Sequence, residues 1–240
     1  MSDNGLFDGE LFKGDEQTGG MEAAPDLEGL FELSVDAYTD ALYAYMSELP
    51  VKAEIARFVA KVLKAGSTPA GTPAAGGDRA AAAKTASDRG DPDVFAVQKA
   101  AGKVRHEIHR LTGMLRFRPD ESGAYIARCA PDHFVLPALE DHFTGRFGAT
   151  PWAIIDEKRR LCLCRKDSGP ARLIPWHPEC LSGQVSSAQV SSGQAAGVSG
   201  AEDLWRLYFR SINIESRKNL HLQHQLIPER YRKYMDEFEP

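Results

Sequence analysis

Four polar side chains of this chain could move protons if the fold gathered them: His109, Asp132, His133 and Asp156. An aspartate and a histidine within hydrogen-bond reach form an acid–base pair, and such a set would suit a nuclease or a base-processing enzyme. Asp132 and His133 are sequence neighbours, however, and neighbours point apart unless a turn redirects them. The simpler reading of Pro131-Asp132-His133 is a helix start. Asp132 then caps the helix, and the His133 ring lies beside free N–H groups, a location that attracts anions. His106 and His109 share one side of a helix, but His106-Glu107-Ile108-His109 lacks the i, i+4 histidine pair of a zinc-protease helix. His109 therefore reads as a buried, hydrogen-bonded residue, and no metal site is expected.

A second group of side chains could hold phosphates. Leu115-Arg116-Phe117-Arg118 alternates at period two, which puts Arg116 and Arg118 on one face of a strand. Arg159 lies in the basic turn after Trp152-Ala153-Ile154-Ile155-Asp156. Near the C-terminus Arg217, Lys218 and Arg230 are interleaved with Tyr231, a mixture that offers phosphate contacts and a ring for base stacking. Each has a plainer reading as a solvated charge or, for the last segment, as a helix closing the core.

Charge is distributed unevenly. Residues 1–50 hold twelve acids and one base, Lys13, whereas the rest of the chain carries a net charge of +6. The basic part permits a phosphate-binding face without requiring one. Gly-rich phosphate loops, GxSxG, HExxH and paired acidic motifs for two-metal chemistry are absent, which disfavours standard kinases, dehydrogenases and hydrolases. Cys162 and Cys164 stand two apart in a strand-like run and cannot close a normal disulfide with each other. With Cys129 and Cys180 they lack zinc or iron–sulfur spacing, so all four read as reduced packing thiols and no cofactor is expected. The acidic start carries no apolar stretch, and no long apolar run follows, which points to a cytoplasmic protein.

The elements that must position these residues are an α+β set. Residues 1–25 read as a disordered acidic tail, 26–66 as a helical hairpin and 67–90 as a Pro/Gly/Ala-rich flexible linker with room for a short alanine-rich turn of helix in its middle. Residues 91–240 form the main domain, interrupted by a flexible small-residue insertion at 182–200. Within it Asp91-Pro92 starts a long amphipathic helix carrying Val94, Val97, Ala101, Val104, Ile108 and Leu111 and closed by Gly113. Strands are expected at Leu115–Arg118, Ala124–Cys129, Trp152–Asp156, Leu161–Arg165 and Ala171–Pro175. Helices are expected after Asp132, at Glu202–Ile214 and around Arg217–Tyr234. Helices packed on an antiparallel sheet of about five strands follow.

The stretches HRLTGMLRFR, PDHFVLPALEDHFTGRF, PWAIID and ESRKNLHLQHQLIPERYRKYM, in this order, resemble a bacterial family of probable DNA metabolism proteins. The resemblance covers roughly residues 91–240. It implies an accessory role in DNA repair or modification, binding DNA or presenting it to a radical-SAM partner encoded nearby. It also implies kinship with a domain fused to uracil-DNA-glycosylase-like proteins. The chain departs from the pattern at Arg232, where an aromatic is common, and in its N-terminal half. Two other readings stay open: an enzyme using His109, Asp132, His133 and Asp156, and a structural partner that makes no DNA contact.

Overall fold

The computed structural model describes residues 26–67, 78–120, 123–176 and 220–235. The chain divides into two compact units, Met1–His109 with Asp132–Val135, and Arg110–Pro131 with Leu136–Pro240. The division falls inside the long helix rather than at residue 91, where composition placed a domain start.

The described part of the first unit is helical: α1 (Leu27–Leu33), α2 (Val35–Met46), α3 (Lys52–Gly66), α4 (Arg79–Ser87) and the start of α5 (Pro92–Met114). Side-chain caps set three of the starts. Asp26 accepts from the Gly29 N–H, Ser34 from Ala37 and Asp78 from Ala81, each satisfying a donor the helix leaves open. Ala37, Ala41 and Ala44 form the buried stripe of α2, and Ile55, Phe58, Val59 and Val62 that of α3. Two features differ from the sequence reading. The expected hairpin contains three helices, and the stretch expected to be a linker contains α4, whose Ala82 and Ala86 are buried in the same core. Alanine has the best helix propensity, and its single methyl allows close helix approach, so a composition that looks flexible can still pack.

Asp91 starts α5 as expected, accepting from the Asp93 and Val94 N–H groups, with Pro92 at the first helical position. The helix does not stop at Gly113 but includes it and runs through Met114. Arg57 and Lys61 of α3 clamp this start. Arg57 Nη2 lies 2.9 Å from Asp93, and Lys61 Nζ lies 2.6 Å from Asp91 and 2.7 Å from Asp93. The hydrogen bond from Arg57, followed by that from Lys61, holds the Asp93 carboxyl down at about 2. A carboxylate depressed in the folded state stabilises above its unfolded pKa and loses that contribution as pH falls through the folded value. Helical circular dichroism should therefore show wild-type stability falling between pH about 4 and about 2. Asp93→Asn should be less stable at neutral pH and flatter across that window, and equal slopes would refute the linkage.

The second unit carries one five-stranded sheet: β1 (Arg118–Pro119), β2 (Tyr125–Cys129), β3 (Trp152–Asp156), β4 (Leu161–Arg165) and β5 (Arg172–Pro175). The strands lie in chain order. Neighbours are antiparallel except β2 and β3, which run parallel. The sheet is thus mixed rather than wholly antiparallel. A parallel pair needs a crossover connection, and a 3-10 turn at Pro137–Leu139 followed by α6 (Glu140–Phe147) supplies part of it. β1 is shorter than expected. Leu115–Phe117 precede it without strand pairing, so Arg116 and Arg118 are not two residues of one strand face.

Pleating and register sort the strand residues onto two faces. One face holds Ala127, Cys129, Trp152, Ile154, Leu163 and Arg165, all buried. α6 covers it: Phe143 lies 6.3 Å from Trp152, and Phe147 stacks 5.3 Å from Tyr125, ring centre to ring centre. Phe117 completes the cluster at 4.9 Å from Phe143. The chain then resumes with α7 (Leu220–Leu226) and α8 (Glu229–Arg232), separated by Pro228. The expected tail at 1–25, insertion at 182–200 and helix at 202–214 lie outside the described residues. Among the described residues no helix is long and apolar enough to cross a membrane.

Candidate nucleic-acid interface

The four acid–base candidates fall into separate settings. Asp156 is fully buried. Its Oδ1 accepts from the Lys158 N–H at 2.9 Å and the Arg159 N–H at 3.1 Å, and its Oδ2 from the Arg159 guanidinium at 2.9 Å. Both oxygens are engaged in shaping the β3–β4 turn, in which Arg160 takes a positive φ of 54°. Asp132 does not cap a helix. Its N–H and that of His133 each donate to the Glu107 carboxylate at 2.8 Å. Glu107 is only 3 % exposed, so a buried side chain anchors this segment, and the His133 Nδ1 accepts from the Glu48 N–H at 3.3 Å. His109 is exposed rather than buried, because Glu107 instead of Ile108 faces the core between Val104 and Leu111. The sequence signal for Glu107 was available: a carboxylate stood three residues after Val104 and four before Leu111, on the apolar stripe itself.

The expected phosphate contacts are also redistributed. Arg159 keeps only 14 % of its side chain exposed and donates to the Pro131 carbonyl as well as to Asp156, which makes it a structural residue of the turn. Arg116 donates to the Gly113 carbonyl at 3.0 Å. Tyr231 is 2 % exposed, so its ring belongs to the core and cannot serve as a stacking platform. The Arg230 guanidinium lies 4.8 Å from that ring. Arg217 and Lys218 lie outside the described residues. Arg118 is the expected contact that lies exposed on the sheet.

The face of the sheet opposite α6 is where cations gather. Register aligns Arg118, Ile126, Ala153, Cys164 and Arg172 in one row across all five strands. Both ends are exposed arginines, and the three residues between them are half-buried. Four strand spacings separate the ends by roughly 19 Å. Arg128 sits diagonally from Arg118, about 7–8 Å away, and Lys166 follows two residues after Cys164 on the same side. Arg128, Lys166 and Arg172 were not recognised as site residues from sequence, since only register reveals that they share a face.

One end of this face is roofed. The Arg128 guanidinium lies 5.4 Å from the Trp176 ring centre, and β3 and β4 lie between the two residues. The pair spans Ile155 and Cys162, which are buried although they point away from α6. Glu157 steadies this end. It accepts from the Tyr234 hydroxyl at 2.6 Å and lies 3.3 Å from Arg128 and 3.5 Å from Lys233. Burial opposes its ionisation, but the Tyr234, Arg128 and Lys233 contacts outweigh this and hold its carboxyl below the usual range. Burial, with the bond to Glu157, pushes the Tyr234 phenol up and keeps it protonated. Among the described residues, Arg118 and Arg172 are exposed at the two ends of the row.

Residues 78–237 match the model of a family described as a domain of unknown function, DUF4130. No curated protein and no solved structure matches the chain.

Proposed function

The chain belongs to the DUF4130 family, and from that premise we propose that it binds single-stranded nucleic acid on the open face of its sheet. The carrying observation is the five-strand row from Arg118 to Arg172, apolar between cationic ends, with Arg128 diagonal to Arg118. Cations some 19 Å apart across a sheet suit the separated phosphates of a polymer better than one mononucleotide. The half-buried Ile126, Ala153 and Cys164 offer the bases an apolar floor. A duplex would bring only its backbone to this face. The resemblance noted from sequence supplies the context: an accessory protein in DNA repair or modification that holds a strand for a partner radical-SAM enzyme. The alternative of an enzyme built on Asp156 draws little support, because both carboxylate oxygens are engaged within its own turn.

Fluorescence anisotropy with labelled single- and double-stranded oligonucleotides of one sequence tests this reading. Three phosphate contacts by Arg118, Arg128 and Arg172 should give a log–log salt slope of about −2 on single strands. Single strands should bind more tightly than duplex at every salt concentration. A slope near zero, or preference for duplex, would refute the single-strand reading.

A further inference from the structure

Glu157 lies at the roofed end of the sheet face, where Arg128 supplies one of the three cations of the proposed interface. Three donors converge on its carboxylate. The Arg128 guanidinium, from β2, lies 3.3 Å from Oε1. The Tyr234 hydroxyl at 2.6 Å and the Lys233 ammonium at 3.5 Å reach Oε2 from the segment after α8. The carboxyl is held below its usual range, so it is an anion at neutral pH. The Arg128 side chain is 43 % exposed and that of Glu157 29 %, which leaves the pair within reach of a ligand. Arg128 also lies over the Trp176 ring, 5.4 Å from its centre, so the guanidinium is held between an aromatic surface and an anion.

We propose that Glu157 is an internal competitor for Arg128, a tethered anion that weakens the grip of this face on a strand and so sets its affinity. Carboxylate and phosphate are both oxyanions that a guanidinium binds through the same N–H donors. A strand that brings a phosphate to Arg128 must displace the Glu157 oxygen or bind beside its charge. Either route costs affinity, and the cost is bounded by the strength of the contact displaced. A half-exposed ion pair shifts an equilibrium by no more than about fivefold, so the competitor attenuates binding without abolishing it. The inference rests on the nucleic-acid reading of the face and names the residue that regulates it. A protein that holds a strand for a partner enzyme must also release it, and a tethered carboxylate that retakes the arginine favours release.

The test is Glu157→Gln in the full chain, which keeps an oxygen for the Tyr234 hydroxyl and removes the charge. Its affinity for a labelled single-stranded oligonucleotide is measured by anisotropy, with tryptophan-monitored melting to establish that each variant is folded. At low salt Glu157→Gln should bind about two- to fivefold more tightly than wild type, and the gain should shrink as salt rises. The gain should persist in an Arg118→Gln background and fall below about 1.5-fold in an Arg128→Gln background, because only Arg128 shares the contact. Equal gains in the two backgrounds would reveal a general effect of charge and overturn the proposal. So would a Glu157→Gln variant that binds no more tightly than wild type while wild type keeps a salt slope of about −2. In that case the nucleic-acid reading stands without this competitor. A wild type that shows no salt-dependent binding removes both.

Discussion

Asp156→Ala should lower the stability of the sheet unit by about 3–5 kcal/mol, the range for removing one partner of a buried ion pair. The carboxylate is fully buried and satisfies two backbone N–H groups and the Arg159 guanidinium. Truncation leaves a cation with 14 % side-chain exposure facing a cavity, and it also removes the bonds that define the β3–β4 turn. The chain supplies its own reporter. All three tryptophans, Trp152, Trp176 and Trp205, lie in the second unit, so tryptophan fluorescence follows that unit selectively. A loss of this size corresponds to a melting temperature lower by roughly 10–20 °C. Asp156→Asn retains an acceptor for the two N–H groups but loses the charge opposite Arg159, and it should fall between wild type and alanine. A melting temperature within two degrees of wild type in the alanine variant would show that Asp156 is not a structural anchor and would reopen a catalytic role.

Asp156 also illustrates what a sequence can and cannot disclose. Residue type announced an ionisable group at a strand end, but not that Arg159 and two N–H groups would engage both of its oxygens. Local signals were readable: Asp91-Pro92 starts α5, and the strands at Trp152–Asp156 and Leu161–Arg165 fall at the bounds expected for them. The errors have distinct causes. α4 goes beyond the short alanine-rich turn expected inside the linker, because an alanine-rich run reads as low complexity whether or not its methyl groups are buried. The parallel β2–β3 pair was hidden because strand direction follows from how the connecting segment crosses over, not from the strands themselves. Tyr231 looked like a stacking ring because its basic neighbours are visible in sequence while its burial is not. The row from Arg118 to Arg172 depends on four registers at once, and no local pattern encodes those.

Neutralising that row should produce the largest functional effect. Arg118, Arg128 and Arg172 are exposed, so their removal costs less stability than a core change, the largest share coming from the Arg128 contacts with Glu157 and Trp176. The affinity for a phosphate chain should change far more. If each arginine releases about 0.7 of a counterion from a single strand, one contact contributes about eightfold at 50 mM salt, and three contribute about 500-fold. The factor should shrink as salt rises, because the same counterions become cheaper to restore. The decisive measurement is the affinity of Arg118→Gln/Arg128→Gln/Arg172→Gln for a labelled single-stranded oligonucleotide at 50 mM salt, alongside wild type, with tryptophan-monitored melting confirming that both are folded. The account predicts an affinity lower by about 500-fold and a salt slope about two units shallower. A folded triple variant that binds within threefold of wild type would contradict it.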